Sequence, residues 1–551
     1  MDNFRLILAV TLAFLAMLIW EAWQKDYVRP TVQPEQQTSA IASVKDAERR
    51  DVPVASVDPG STTTTNVPVI NKEASEKQIE VITDVLSLRI DTKGGSILEA
   101  KLLDYAQSTE EKDKNYVLLS DQSTNLFMIQ SGLISNKKED APNHKAVYRT
   151  EKDVYELKEG SDELVVPLVW TNSSGVKIGK IYTFKRGEYL VTLKHKVFNE
   201  SAKPWAGRDY RQLVRGKPTD TSGESAFIYT YTGGAYYTPE NKFDKLDFDE
   251  MDETKLAVDA TGGWLAMLQH YFFAGIIPTS KDTQHFYSKK LSGEKYILGA
   301  YGPAQKIDPG VTGEFTGNLW IGPKLQKRIE KVAPGLELTT DYGWLTIIAK
   351  PIFWLLNFIN QAVGNWGWSI IFLTILIKLA FYRLSAASYR SMAGMRKLAP
   401  RLQAIKEKYG DDKEHLNKAM MDLYKTEKIN PVGGCLPILV QIPVFIALYW
   451  VLLESVEMRD APFMLWIDSL SAKDPYFVLP VIMGASMLVQ QKLNPAPPDP
   501  MQAKIMMALP FIFTAMFAFF PAGLVLYWVV NNLLSIAQQW RITYVMEHQG
   551  K

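Results

Sequence analysis

The sequence predicts a multi-domain membrane protein: an α-helical membrane bundle of six spans with a five-span core, a large all-β external domain, and a helical hairpin. Three observations predict this class. Apolar residues, 47% of the 551 residues, concentrate near the N-terminus and after about Trp344. The region between alternates in hydropathy with a period of two residues, and basic residues cluster in one stretch between apolar segments. A uniform soluble globule is therefore excluded.

Charge and cysteine content exclude several classes of function. Lys and Arg number 61 against 60 Asp and Glu, so bulk electrostatic binding of nucleic acid is excluded and no direct nucleic-acid specificity is expected. The single cysteine, Cys435, can form neither an intramolecular disulfide nor a cysteine-based zinc site.

Residues 1–23 are predicted to form an uncleaved signal-anchor span. The apolar run 6–20 follows Arg5, no small-x-small cleavage site comes after it, and Trp20 and Trp23 are typical of interfacial anchors. A cleaved secretory signal is the alternative. Residues 24–77 are rich in Pro, Thr and Ser and are predicted to be a disordered linker, because they cannot bury enough apolar surface to offset their chain entropy.

Residues 78–341 are predicted to form the all-β domain. Leu86, Leu88 and Ile90 alternate with polar residues, and the turn residues 172–175 (Asn-Ser-Ser-Gly) separate two strand-like runs. Many short strands at this spacing indicate a large sandwich or a related all-β fold.

Residues 342–365 are predicted to be an amphipathic helix in the membrane interface, and 366–545 the five-span core, followed by a short tail, 546–551. Counting the apolar segment 344–363 as a span would place a strongly basic stretch outside the cell, against the positive-inside rule. The interfacial interpretation gives six spans and two cytoplasmic termini. The candidate core spans are 366–382, 435–453, 476–489, 505–520 and 522–536.

The basic stretch 383–430 is predicted to be a cytoplasmic hairpin of two helices broken near Gly410. The segment from Arg383 to Lys428 contains eleven basic and six acidic residues. A solvated loop is one interpretation, and a docking surface for a partner or for anionic lipid headgroups is the other. The candidate docking residues are Arg396, Lys397, Arg401, Lys406 and Lys408.

The predicted spans contain little that could perform catalysis. None of the five core spans holds an Asp, Glu or His, and the chain has no nucleotide-binding or metalloprotease motif, so an enzyme is not expected, nor a metal or cofactor. Lys378 lies inside the first core span, with Thr374 on the same helical face. Its ammonium either snorkels to the headgroups or joins a polar surface. Further spans carry Gln441, Trp528 and Asn532. Each of these residues either lines such a polar surface or stabilises the contact between two helices.

Six segments resemble the YidC/Oxa-type membrane protein insertases, and the likeness covers nearly the whole chain. They are 262–269 (Gly-Gly-Trp-Leu-Ala-Met-Leu-Gln), 365–371 (Asn-Trp-Gly-Trp-Ser-Ile-Ile), 410–413 (Gly-Asp-Asp-Lys), 430–437 (Asn-Pro-Val-Gly-Gly-Cys-Leu-Pro), 441–445 (Gln-Ile-Pro-Val-Phe) and 520–528 (Phe-Pro-Ala-Gly-Leu-Val-Leu-Tyr-Trp). The N-terminal anchor, linker and external domain look like the Gram-negative form.

The resemblance implies an inner-membrane insertase or chaperone that moves hydrophobic segments into the bilayer without nucleotide hydrolysis. It implies a β-supersandwich for the external domain, with residues 24–341 periplasmic, and a groove closed toward the periplasm. Lys378 falls where the family places a groove cation, often Arg, and Thr374 and Trp528 fall at positions important in relatives, the latter usually Tyr. The groove candidates are Lys378, Thr374, Gln441, Trp528 and Asn532. Phe445 and Met516 are the candidates for an apolar slide, the apolar helix surface along which the hydrophobic segment of a substrate moves into the lipid.

The expected partners are nascent membrane proteins and membrane lipids, the Sec translocon (SecYEG and SecDF), and the ribosome or the signal recognition particle receptor. A second hypothesis is a membrane-anchored binding module whose β-domain recognises a glycan or a peptide. A third, a channel or transporter, is weakened by the lack of acidic residues in the spans.

Overall fold

The computed structural model describes residues 51–53, 77–108, 111–218, 230–279, 281–410, 412–427, 436–493 and 500–548. The predicted anchor (1–23), nearly all of the predicted linker, and the last residues of the predicted tail lie outside these ranges. The described chain contains a β-rich region, 77–323, followed by a helical region from residue 346.

Nineteen strands build the described β-rich region. They are β1 Gln78–Ile82, β2 Leu86–Asp91, β3 Ile97–Ala106, β4 Asn115–Leu119, β5 Phe127–Ser135, β6 Val154–Glu156, β7 Glu163–Thr171, β8 Val176–Lys185, β9 Leu190–Asn199, β10 Trp205–Gly216, β11 Gly233–Thr238, β12 Lys242–Leu246, β13 Ala257–Thr261, β14 Trp264–Leu268, β15 Phe272–Pro278, β16 Thr283–Leu291, β17 Lys295–Tyr301, β18 Gln305–Ile307 and β19 Thr312–Pro323. Two short helices, α1 (Phe248–Glu253) and α2 (Gln326–Ile329), interrupt and follow them.

The strands form two sheets. One has 11 strands in the order β13-β16-β17-β10-β5-β3-β2-β1-β6, with β18 on β10 and β4 on β3; the other has eight in the order β12-β11-β14-β15-β19-β9-β8-β7. The pairings are antiparallel except that of β1 with β6. The inward-facing residues of both sheets share one core, which includes Leu88, Leu193, Trp264 and Trp320. The expected all-β domain is therefore present as two packed sheets.

The predicted turn 172–175 joins β7 to β8. Asn172 Oδ1 accepts hydrogen bonds from the backbone N–H groups of Ser174 (3.1 Å) and Val176 (2.8 Å). Gly175 adopts a φ of 93°, which favours glycine because it has no Cβ to clash. The Asn side chain and the glycine together reverse the chain, so the hairpin follows directly from the local sequence.

Eight longer helices follow. They are α3 Thr346–Val363, α4 Trp366–Ala380, α5 Tyr382–Tyr409, α6 Lys413–Thr426, α7 Leu436–Glu454, α8 Val478–Leu493, α9 Pro500–Phe517 and α10 Ala522–His548. Asn365 caps α4 by accepting a hydrogen bond from the Trp368 N–H at 3.1 Å. A core of apolar residues such as Leu356, Leu373, Leu448 and Val525 joins α3, α4, α7 and α10.

Helices α4 and α5 are separated only by Phe381. The sequence predicts a span 366–382 and a separate hairpin from 383, whereas α5 begins at Tyr382, immediately after the bend. Among the described helices, none is both long and apolar enough on its own to meet a length-and-composition test for a membrane span. Trp366–Ala380 and Tyr382–Met395 meet it together, across a bend of 67°.

The loop between α7 and α8 docks onto the end of the β-rich region, and Arg459 is its main anchor. The guanidinium donates hydrogen bonds to the carbonyls of Ala106 (2.7 Å) and Gln107 (3.2 Å). It also lies 5.2 Å from the ring centroids of both Tyr116 and Phe272, within the range of cation–π attraction. This contact joins residues more than 350 positions apart in the chain.

His270 supports the same junction. Its Nε2 atom lies 3.0 Å from the carbonyl oxygen of Leu453 at the end of α7, and its ring stacks on Tyr271 with centroids 3.8 Å apart. Burial lowers the pKa of His270 to about 3, so the imidazole is neutral and donates one N–H to this carbonyl. The end of α7 and the following loop are thus both fixed to the β-rich region.

We expect Arg459→Ala to destabilise this junction by about 3 kcal/mol, because it removes two charge-assisted hydrogen bonds and two cation–π contacts from a nearly buried site. Hydrogen–deuterium exchange should rise in the α7–α8 loop and at the adjoining ends of β3 and β4. Lys112→Ala is the matched control: the Lys112 ammonium pairs with Asp468 at 3.2 Å, but both side chains are exposed. Equal exchange in both variants would show that Arg459 is not the anchor.

Candidate functional site: a polar cavity beside the α4–α5 bend

A cavity of about 380 Å³ lies among helices α4, α5, α7, α8, α9 and α10. Its polar lining residues are Lys378, Ser385, Ser388, Tyr389, Gln441, Gln490, Gln491, Asn531, Asn532 and Ser535. Its less polar lining residues are Met392, Ile442, Phe445, Met487, Met506, Leu509, Pro510, Tyr527 and Trp528. Among these residues, one carries a positive charge and none a negative charge.

Lys378 is that cation, and it is held inside the bundle. Its Nζ donates a hydrogen bond to Ser535 Oγ at 2.8 Å. Ser535 in turn donates to the carbonyl of Asn531 at 2.7 Å, so its hydroxyl is oriented to accept from the ammonium. The Lys378 residue is only 9% exposed, whereas a snorkelling lysine would carry its ammonium to the surface. In this structure the ammonium faces the cavity.

Asn532 connects two walls of the cavity. Its Nδ2 donates to Ser486 Oγ at 3.0 Å, and Ser486 donates to the carbonyl of Met483 at 2.6 Å. Asn532 lies on α10 and the other two residues on α8. This hydrogen bond satisfies a buried amide that would otherwise be costly among apolar helices.

Aromatic side chains form the apolar wall. The rings of Phe445 and Trp528 meet edge to face with centroids 4.9 Å apart, and Phe445 stacks on Tyr527 at 5.8 Å. Phe517 also meets Trp528 edge to face, with ring centroids 5.6 Å apart. The Trp528 indole N–H is buried and has no hydrogen-bond partner among the described residues, so its packing rather than its polarity holds it in place.

The structure brings together five of the seven residues predicted for the groove and its apolar slide: Lys378, Gln441, Phe445, Trp528 and Asn532. Thr374 and Met516 do not line the cavity. The Thr374 hydroxyl donates to the carbonyl of Ile370 in its own helix at 2.6 Å and is buried. Met516 packs at the edge of the bundle core.

Sequence reasoning missed the contribution of α5 to the cavity. Ser385, Ser388, Tyr389 and Met392 line it, although the sequence assigns them to the predicted cytoplasmic hairpin. Their spacing of i, i+3, i+4 and i+7 places them on one helical face, and this pattern could have identified them. Gln490 and Gln491 of α8 were also missed, because they follow the end of the predicted span at residue 489.

The five candidate docking residues lie farther along α5, beyond its cavity-lining face. Lys397 is exposed. Arg401 Nη1 forms an ion pair with Glu427 Oε1 at 2.6 Å, across the connection to the region after α6. Lys408 Nζ lies 5.1 Å from the Tyr409 ring centroid, and Arg396 and Lys406 occur in the same helix.

The cavity lies at the end of the bundle away from the β-rich region. On α7 the lining residues are Gln441 to Phe445, and Glu454, next to the junction, is nine residues beyond Phe445, or roughly 14 Å along the helix. On α8 the lining begins at Met487, again nine residues from the junction end at Val478. Buried apolar residues of the bundle core, including Leu448, Val451 and Leu524, occupy the intervening space.

The chemistry available in the cavity is binding by charge and hydrogen bonds. Within the described residues, no group of three or more His, Cys, Asp or Glu side chains could hold a metal ion. A single ammonium, several amides and hydroxyls, and an aromatic wall suit a peptide segment with a polar or acidic part next to an apolar part.

We expect Trp528→Ala to lower the stability of the bundle by about 3 kcal/mol, because it removes the ring that packs against both Phe445 and Phe517 and leaves a void. Trp528→Phe should cost much less, since it retains an aromatic ring and removes an N–H that has no partner. Thermal unfolding of the purified protein in detergent, followed by tryptophan-independent dye fluorescence, measures both. If Trp528→Phe lowered the stability of the bundle as much as Trp528→Ala does, the packing role of Trp528 would be contradicted.

Comparisons with known proteins identify the family. The family model of the YidC periplasmic domain matches residues 78–355, and that of the 60Kd inner membrane protein matches residues 358–549. The membrane protein insertase YidC of Thioalkalivibrio sulfidiphilus is 49% identical over 562 residues and covers 100% of both chains. The corresponding protein of Methylococcus capsulatus is 49% identical over 549 residues and covers 99% of both.

A solved structure described as an active YidC insertase with the first transmembrane domain resolved is also similar, with 20% identity and a TM-score of 0.39, covering 84% of this chain and 92% of that one. The two family models span both the β-rich and the helical region, and the relatives match along the whole chain. The chain therefore belongs to the YidC family of membrane protein insertases, which are inner-membrane proteins rather than enzymes.

Proposed function

We propose that this insertase receives the polar end of a nascent membrane protein in the cavity at Lys378 and releases the adjoining hydrophobic segment sideways into the bilayer, without nucleotide hydrolysis. The observation that carries the proposal is the placement of one ammonium, with no carboxylate among the described lining residues, in a cavity blocked at the end nearer the β-rich region.

Electrostatics favours an acidic or polar tail in this cavity. Two unit charges 4 Å apart attract by about 4 kcal/mol at the effective dielectric constant of a protein surface. The hydrogen bond from Lys378 to Ser535 holds the ammonium in the cavity, where an arriving carboxylate can approach it. The free energy of transferring the apolar segment from water to lipid then drives insertion.

The outer faces of the helices support a bundle embedded in lipid. Large apolar side chains are exposed on every one of the helices α4 and α7 to α10, the reverse of a water-soluble bundle. They include Phe372, Leu376, Leu379, Ile442, Val481, Val489, Met507, Phe511, Ile512, Leu533 and Trp540. We assign six spans to the whole chain: residues 1–23 and the five core segments within 366–545, with helix 342–365 in the interface. Trp354 and Phe358 are exposed on that helix beside the polar Gln361.

This topology places residues 24–341 in the periplasm and both termini in the cytoplasm, with the hairpin formed by α5 and α6 projecting into the cytoplasm. The excess of basic residues in 383–430 favours that side. We assign its exposed basic residues, Lys397 and Arg401 among them, to contact with the ribosome, the signal recognition particle receptor or anionic lipid headgroups. The insertase acts alone or beside the Sec translocon.

Reversing the charge at the cavity tests the electrostatic step. Lys378→Glu should slow insertion of a single-span substrate with an acidic N-terminal tail by about tenfold or more, since 1.4 kcal/mol in the barrier is a factor of ten. Lys378→Arg should retain insertion because it retains the charge. Insertion rates in reconstituted vesicles measure the effect.

Two controls separate this effect from misfolding. The same substrate with a neutral tail should lose much less in Lys378→Glu. Lys350→Glu reverses a charge on α3, outside the cavity, and should leave insertion unchanged. An unchanged rate for the acidic-tail substrate in correctly folded Lys378→Glu would refute the electrostatic step.

A further inference from the structure

A short stretch of the predicted linker, residues 51–53, lies against the β-rich region, and all three residues are half-buried. Asp51 contacts His144 and Lys145, in the segment between β5 and β6, and Gln212 of β10. More than 90 positions separate Asp51 from each of these residues. Insertion as proposed above uses none of them.

The carboxylate of Asp51 makes two of these contacts. Its Oδ2 atom lies 3.1 Å from His144 Nε2, and its Oδ1 atom lies 2.6 Å from Lys145 Nζ. Burial alone would raise the pKa of this carboxyl group, but the hydrogen bonds and charges of His144 and Lys145 lower it well below its usual range. The His144 side chain is only 2% exposed. Asp51 is therefore charged at neutral pH and bound to a buried partner, unlike the two side chains of an exposed ion pair.

Tyr210 orients the imidazole of His144 toward Asp51. The Tyr210 hydroxyl oxygen accepts a hydrogen bond from the His144 backbone N–H at 3.0 Å and lies 2.7 Å from His144 Nδ1. A neutral imidazole accepts from the Tyr210 hydroxyl at Nδ1 and carries its own proton on Nε2, which faces Asp51. A protonated imidazole donates from both nitrogens. In either state His144 donates to the carboxylate.

Gln212 holds the backbone of the same residue. Its Nε2 atom donates to the carbonyl oxygen of Asp51 at 2.9 Å and to Gln130 Oε1 at 2.9 Å, and its Oε1 atom accepts from the Tyr287 hydroxyl at 2.8 Å. Gln130 and Tyr287 fix the plane of this buried amide, so its remaining N–H has a set direction. The site therefore binds a main-chain carbonyl as well as a carboxylate.

This docking site, formed by Gln130, His144, Lys145, Tyr210 and Gln212, lies on the outer face of the 11-stranded sheet. Along β10, Tyr210 and Gln212 alternate with Arg211, whose guanidinium packs against Gly317 of the other sheet. Residues two positions apart in a strand share a face, and the residue between them points to the opposite face. The docked segment consequently covers the surface of the β-rich region and does not enter its core.

We propose that residues 51–53 form a latch that fixes the linker to this docking site and shortens the connection to the first span. With the latch in place, residues 24–50 separate that span from its first attachment to the β-rich region; without it, residues 24–76 do. At no more than about 3.5 Å per residue, the maximum reach falls from roughly 185 Å to roughly 95 Å. The shortened reach rests on the proposed assignment of residues 1–23 as a span, whereas the attachment of Asp51 does not.

Zero-length cross-linking tests the attachment directly, because a carbodiimide joins a carboxylate to an amine in contact with it. The full-length protein in lipid nanodiscs should give an amide bond between Asp51 and Lys145, identified by mass spectrometry of its peptides. Lys217 and Asp249, an exposed pair 2.6 Å apart, are the positive control. A link at the control pair with none between Asp51 and Lys145 would overturn the proposal.

Trypsin reports release of the latch, because it cuts after Arg50, at the bond to Asp51. Lys145→Glu places a repelling charge beside Asp51 and should speed this cleavage about fivefold or more. Lys137→Glu is the matched control, since it reverses an exposed charge in the same segment between β5 and β6 without a contact to Asp51. Equal cleavage rates after Arg50 in the two variants would contradict the latch.

Distance measurement tests the shortened reach. Spin labels at Lys25→Cys and at the exposed Val311→Cys, in a Cys435→Ser background, are compared by double electron–electron resonance. Lys145→Glu should broaden the distance distribution toward longer distances, and Lys137→Glu should not. An unchanged distribution in Lys145→Glu would refute the shortened reach. Loss of Lys25 with a cleaved N-terminus would instead refute the first span, and the cross-link at Asp51 would still form.

Discussion

The ammonium group of Lys378 determines how the helical region is organised. Removing a charge from water and placing it among apolar helices costs free energy. Pairing, hydration or hydrogen bonding must offset this cost. Here Ser535 on α10 supplies the hydrogen bond, and α5 bends back by 67° from α4 so that its hydroxyl-bearing face closes around the same space. The polar residues of five helices gather at one place, and the remainder of the bundle can then be packed with apolar side chains.

The sequence predicted the parts of this arrangement that depend on composition and periodicity. A lysine, an amide such as Asn532 and an indole such as Trp528 are visible in the apolar runs of the predicted spans, and the structure brings them together. Thr374 was predicted from helical spacing and from the family resemblance, but its hydroxyl is satisfied by its own helix. The serines of α5 were missed because the bend at Phe381 places a segment of hairpin-like composition against the core. Helical periodicity does not reveal where a helix changes direction.

The fold of the β-rich region was predictable strand by strand where turn residues mark the hairpins, as at Asn172 and Gly175. Its sheet order was not, since strands distant in sequence, such as β5 and β10, pair only through tertiary packing. The same limit applies to the junction at Arg459. Its carbonyl acceptors and aromatic neighbours come from β3, β4 and β15, and nothing in the local sequence around Arg459 indicates that it contacts them.

The attachment of the α7–α8 loop to the β-rich region restricts how the bundle can move. The end of α7 at the junction is held by His270, and the loop that follows it is held by Arg459, while Phe445 lies nine residues away at the cavity end. With the junction as a fulcrum, a tilt of about 10° in α7 would displace Phe445 by roughly 2 Å, enough to admit a side chain without unpacking the blocked end. Such a tilt would widen the cavity, where the proposed substrate enters. The end of the bundle next to the junction would stay closed.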